Sequence, residues 1–152
     1  MNKMYKYVTA IVLMMVSINF ASAVTQPYHD VVELVTKTKL LIEQDTEKAF
    51  TNINENGATT PYIFVLNMDL VTVAHGYQPE GVGTSNKGNL DIDGKDYTAA
   101  MLRKANTNGK GWVDYVYTNP ATGKDGKKLA YIEKVVGSDG NKYIVGSGFY
   151  TK

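Results

Sequence analysis

The side chains that could do chemistry are one amine, one imidazole and a group of phenols. Lys128 and Tyr131 stand in Lys127-Lys128-Leu129-Ala130-Tyr131. Tyr115 and Tyr117 stand in Trp112-Val113-Asp114-Tyr115-Val116-Tyr117, and His75 closes Val71-Thr72-Val73-Ala74-His75. Ammonium, imidazole N–H and phenol O–H all donate hydrogen bonds, so the set suits an anion; a charge-assisted bond from Lys128 has about twice the strength of a neutral one. Catalysis has less to draw on. His29 and His75 are the only histidines and cysteine is absent. No Gly-x-Ser-x-Gly elbow, His-Glu-x-x-His pair or P-loop occurs. Ser147 has no base and orienting acid at a useful spacing, so no catalytic residue is assigned. Asp91-Ile92-Asp93-Gly94 places its glycine too early for a calcium loop, and no glutamate follows in register. These acids are read as the lead into the next helix, and neither a metal nor a cofactor is expected.

Strand geometry limits which of these groups can meet. Alternate residues share a face, so Tyr115 and Tyr117 share one and Trp112 and Asp114 the other. Lys128 and Tyr131 are an odd number of residues apart and point to opposite faces, unless Lys128 precedes its strand or a bulge intervenes. Plainer readings stand beside the binding one. Lys127-Lys128 suits a solvated hairpin end, Trp112 suits a core, and His75 suits a capped strand end.

The elements that must position these groups are legible in outline. From Gly111 to Tyr150, three runs of β-branched and aromatic residues alternate with two polar clusters, the pattern of an antiparallel meander. The first connection reads as long and polar, able to fold over an edge or a site. The second, Ser138-Asp139-Gly140-Asn141, reads as a tight hairpin turn. Pro61 to Leu70 is apolar on both faces, which predicts a central strand, and Val71 to His75 a second one. Gly76 to Asp96 is loop. Asp96 to Asn106 reads as a short helix with Asp96 as N-cap. Pro27 to Asn56 carries one apolar stripe, including Val31, Val35, Leu41, Ile42, Asp45, Ala49 and Ile53, and reads as one helix. At about 1.5 Å per residue such a rod is near 45 Å long, so one end must project or pair with another chain. The helix covers one sheet face and the Gly76–Gly109 segment the other, which leaves a pocket under that cover.

These residues also carry a resemblance. Gly109-x-Gly111-Trp112, Tyr115-x-Tyr117-x-x-Pro120, Lys128-x-x-Tyr131 and Gly146-Ser147-Gly148-Phe149-Tyr150 together resemble the single Cache domain of bacterial chemoreceptors and sensor kinases, the second single-Cache subfamily in particular. The likeness covers roughly residues 28 to 150. It implies an α+β, PAS-like fold: a long N-terminal helix on a five-stranded antiparallel sheet, with a short helix and loops over the other face. It also implies a small organic acid held among His75, Trp112, Tyr115, Tyr117, Lys128 and Tyr131. A homodimer through the long helix and a membrane receptor or kinase as partner are further expectations. No second span or signalling segment follows Tyr150, so a sensing domain without its own output is expected. The competing reading is a structural or interaction protein that dimerises through the helix, its pocket filled by Tyr and Met side chains.

Charge and targeting fit an extracytoplasmic domain. There are 16 Lys and Arg against 15 Asp and Glu. Without residues 1–23, Lys3 and Lys6 are lost and the balance turns slightly acidic, with no basic stripe, so nucleic acid is not an expected partner. Residues 1–23 combine those lysines, an apolar run from Tyr7 to Phe20 and Ala21-Ser22-Ala23, the layout of a signal peptide. That predicts a periplasmic domain of residues 24–152, cleaved near Ala23, with an uncleaved anchor as the alternative. Lacking cysteine, it must be held by packing; a chain of about 130 residues buries roughly two-thirds of its unfolded surface.

Overall fold

In the computed structural model, residues 26–151 are described, and the chain divides into residues 1–30 and a larger unit of residues 31–152. The expected signal peptide lies outside the described residues. Within the larger unit the organising element is one antiparallel sheet. Its strands are β1 (Ile63–Asn67), β2 (Thr72–His75), β3 (Lys110–Asn119), β4 (Lys124–Val136) and β5 (Lys142–Tyr150), in the order β2-β1-β5-β4-β3. The first four residues of β1 are buried in succession, because both faces of the sheet are covered.

The meander forms as its punctuation suggests. Gly140 sits at φ 81° in the β4–β5 turn, a backbone that an L side chain resists. The β3–β4 connection differs from expectation. Asn119 pairs with Lys124, so the link is only residues 120–123, and Lys124 to Lys127 belong to β4. Their polarity marks a hairpin end that runs past the core into solvent, where strand pairing does not require apolar faces.

The helical rod also differs. Residues 26–44 form helix α1 and Thr46–Asn56 form α2, with Asp45 extended between them at φ −156° and ψ 95°. The β4–β5 turn causes the break. Ser138 N–H donates to the Ile42 carbonyl at 3.2 Å, and Ser138 Oγ accepts from the Thr46 N–H at 2.9 Å. Thr46 thus loses its helical acceptor to the turn, and Asp45 caps the restarted helix by accepting from the Lys48 N–H at 3.0 Å. Leu41 and Asp45, placed on the stripe by periodicity, are exposed. No described helix is long and apolar enough to cross a membrane.

On the back face, Val31, Val35, Ile42, Ala49 and Ile53 of α1 and α2 pack on Ile63, Val65, Tyr131, Val135, Tyr143 and Val145. On the front face, helix α3 (Tyr97–Asn108) sets Met101 and Ala105 on Phe64, Leu66, Val113, Tyr115, Ile132 and Ile144. Asp96 caps α3 by accepting from the Ala99 N–H. Each buried aliphatic side chain is worth about 1.5–3 kcal/mol, so both layers are anchored by packing. Asp91 ties the preceding loop to edge strand β3, its carboxylate accepting from the Val116 and Lys95 N–H groups at 2.9 and 2.8 Å. The Asp-x-Asp run is thus a loop clasp, and Asp96 starts the helix.

Candidate functional site

Under α3 and its loop, the front face holds a cavity of about 60 Å³. Four of the six residues singled out from sequence line it: His75, Tyr115, Tyr117 and Lys128. Register explains the gathering. Tyr115 pairs with Lys128, and His75 with Phe64, so each pair shares the front face.

Lys128 is the centre of the cavity. It is 2% exposed, yet among the described residues its ammonium has one hydrogen-bond acceptor, the Tyr62 hydroxyl at 2.7 Å. Five rings surround the nitrogen, with centroids 4.2 Å (Tyr62), 5.5 Å (Phe64), 5.9 Å (Tyr115), 5.5 Å (Tyr117) and 5.6 Å (Tyr150) away. Among the described residues no carboxylate lies within ion-pair distance of it. Burial alone pulls its pKa down from 10.5 to about 7, because a charged amine in an apolar box loses its hydration.

The other polar groups are neutral donors. His75 Nδ1 accepts from the Gln78 and Tyr77 N–H groups at 2.9 and 3.3 Å, so the ring proton sits on Nε2. Burial, then the Lys128 charge, lowers the His75 pKa to about 4, which keeps it neutral near pH 7. Burial raises the pKa of the Tyr62, Tyr115 and Tyr117 phenols, and lifts that of Tyr97 to about 12. Tyr97 lies flat on Tyr115, with centroids 4.4 Å apart and planes at 4°. None of the described side chains that line the cavity is acidic. One amine, one imidazole N–H and several phenols, with Thr72, Asn86 and Thr98 also on the lining, can hold an anion.

Trp112 and Tyr131 fall on the other side of the sheet, as parity requires for Lys128 and Tyr131. Their rings touch at 5.2 Å in the back core. The Tyr131 hydroxyl donates to Glu133 Oε1 at 3.0 Å, and Glu133 also meets Lys39 of α1 at 3.2 Å. Ser147 is fully buried and donates to the Tyr62 carbonyl at 2.7 Å. It fixes the backbone that carries the phenol beside Lys128. Sequence reasoning misses Tyr62, Phe64, Tyr97 and Tyr150. The Tyr62-x-Phe64 alternation, on the face that meets His75, is the signal that could have found the first two.

A family model described as Cache domain matches residues 24–152. The chain belongs to the Cache domain family. Three solved structures share its fold. One, described as a periplasmic sensor domain of a chemotaxis protein, is 23% identical with a TM-score of 0.61, covering 70% of this chain and 73% of that one. A methyl-accepting chemotaxis protein from Vibrio parahaemolyticus is 16% identical with a TM-score of 0.69, covering 86% and 92%. The third, described as the structural basis for carboxylic acid recognition by a Cache chemosensory domain, is 20% identical with a TM-score of 0.61, covering all of both chains. No curated protein sequence matches. This Cache domain has the α+β, PAS-like fold of its structural neighbours, and the family's domains are small-molecule sensors found in chemoreceptors.

Proposed function

We propose that this Cache domain senses a small monocarboxylate bound in the front cavity beside Lys128. The observation that carries the reading is a lysine, 2% exposed, with a phenol for company and no acidic partner among the described residues. A buried charge is normally paired, and a ligand carboxylate would complete the pair. Among the described residues Lys128 is the only cationic side chain on the lining, since His75 stays neutral. A second ligand carboxylate would have no counter-charge, and a ligand ammonium would find no acid. Dicarboxylates and amino acids are therefore disfavoured. The 60 Å³ volume is well under the roughly 300 Å³ of common drug-sized pockets, which favours acids of a few carbons. His75 Nε2 and the Tyr115 and Tyr117 hydroxyls are assigned as further contacts. Trp112 and Tyr131 brace β3 against β4 from behind.

The related domain described for carboxylic acid recognition supports this ligand class by analogy. The signal-like residues 1–23 and the periplasmic relative support a periplasmic setting. The homodimer expected through the N-terminal helix draws on Leu40 and Leu41, 59% and 50% exposed on α1; sedimentation of the protein tests it.

The site is tested by thermal shift with acetate, propionate, lactate, succinate and alanine. A monocarboxylate at a hundred times its Kd should add about 2.7 kcal/mol of stability. Succinate and alanine should add far less, and Lys128→Met should abolish the shift. A shift that persists in Lys128→Met would remove the site.

A further inference from the structure

We infer that this cavity takes up its carboxylate together with one proton, so that it responds to the acid as a neutral sum rather than to the anion alone. The inference rests on the monocarboxylate reading above and adds the state of the amine before and after binding.

The geometry sets up the coupling. An ammonium has three N–H donors, and among the described residues Lys128 Nζ has one protein oxygen, on Tyr62. Its other neighbours are ring faces 4.2 to 5.9 Å away. Cation–π contact offsets only part of what removing an ion from water costs. The empty site therefore favours the uncharged amine. A carboxylate in the cavity reverses the preference, because it supplies both a counter-charge and acceptor oxygens to the two spare N–H bonds. The balance is R–COO⁻ + Lys–NH₂ + H⁺ → R–COO⁻···⁺H₃N–Lys, with no bond broken in the ligand.

The facing groups leave Lys128 as the proton's destination. Ahead of β1, Tyr62 is a neutral phenol; from β3, Tyr115 and Tyr117, and from β5, Tyr150, all have pKa values raised by burial. Tyr97 of α3 is likewise raised. At the end of β2, His75 already has its Nδ1 occupied by backbone N–H groups and stays neutral near pH 7. Glu80, in the loop beyond, acts on His75 as a weaker influence that favours its charged form. Asp91 and Asp114, beside the loop over β3, are already engaged, by backbone N–H groups and by Lys95. The Lys128 amine, brought to about 7 by burial, is the facing group that titrates near neutral pH.

The test is isothermal titration of the protein with acetate in phosphate and in Tris, buffers that differ in heat of ionisation, from pH 6 to 9. The expected result is a buffer-dependent heat at pH 8 and above that reports uptake approaching one proton per acetate and fades towards pH 6. Above pH 7 the Kd should rise about tenfold per pH unit, and below it the Kd should level off. His75→Asn should weaken binding yet keep that slope. Acetate binding with equal heats in both buffers and a Kd constant from pH 6 to 9 overturns the inference and leaves the site standing. A slope lost in His75→Asn moves the proton off Lys128 and overturns it too. No carboxylate binding at any pH removes the monocarboxylate site and the inference together.

Discussion

Tyr62 is what makes a lysine tolerable inside an aromatic box. Among the described residues it holds the one oxygen at hydrogen-bond distance from Nζ, and Ser147 fixes its backbone. Tyr62→Phe should therefore destabilise the protein by about 1–3 kcal/mol through an unsatisfied buried donor. The loss should be larger at pH 6, where more of the amine is charged, than at pH 9; urea denaturation at both pH values measures it. A second residue protects the same space. A Cβ on Gly146 would collide with the Phe64 ring, whose face borders Lys128. Gly146→Ala should push that ring into the cavity and weaken acetate binding at least tenfold, readable by titration. Both effects follow from short-range geometry, and both were half visible in the chain. The odd spacing of Lys128 and Tyr131 already separates them onto two faces. It does not say which face is hollow, because that depends on α3 crossing only one of them. Tyr62 sits in the run read as a strand, but alternation alone marks it as core, because nothing local places Lys128, 66 residues on, against its hydroxyl.

The helix shows where local pattern stops being informative. An apolar stripe runs through Val31, Val35, Ile42, Ala49 and Ile53 as though one rod continued, and all five are buried on the same sheet face. The break at Asp45 leaves that stripe intact, so periodicity cannot detect it. Its cause lies in Ser138, 92 residues beyond Thr46. The one local hint is the capping geometry of Asp45 on Lys48. Ser138→Ala removes the acceptor of the Thr46 N–H, while the Ile42 carbonyl stays occupied by the Ser138 N–H. It should cost about 1–3 kcal/mol and leave acetate affinity unchanged, since the junction lies behind the sheet. An equal loss of affinity would mean that the two faces are coupled through β5. The β3–β4 hairpin is the converse case. Its turn residues are legible, but the polar stretch Lys124 to Lys127 reads as loop because strand pairing in solvent leaves no hydrophobic trace.

For the molecule as a whole, the uncompensated amine sets how stability depends on pH. The folded pKa of Lys128 is about 7 against 10.5 for a free lysine. Between those values the unfolded chain holds a proton that the folded chain has released, so stability must rise with pH. The slope is at most about 1.4 kcal/mol per pH unit for one group. Below pH 7 the amine is charged in both states and the penalty is complete. Above about pH 10 the opposite trend takes over, because exposed phenols in the unfolded chain ionise while Tyr62 and Tyr115 stay neutral in the fold. Tm should therefore climb from pH 7 to 9 in the ligand-free protein. In Lys128→Met the climb should vanish, and Tm at pH 6 should exceed that of the parent, because an apolar side chain of similar length replaces a buried charge. Saturating acetate should flatten the parent's slope as well, since the bound carboxylate keeps the ammonium protonated across the range. Melting curves of the two proteins, with and without acetate, decide the matter: a slope that survives undiminished in Lys128→Met belongs to some other group, and Lys128 is then not the source of the climb.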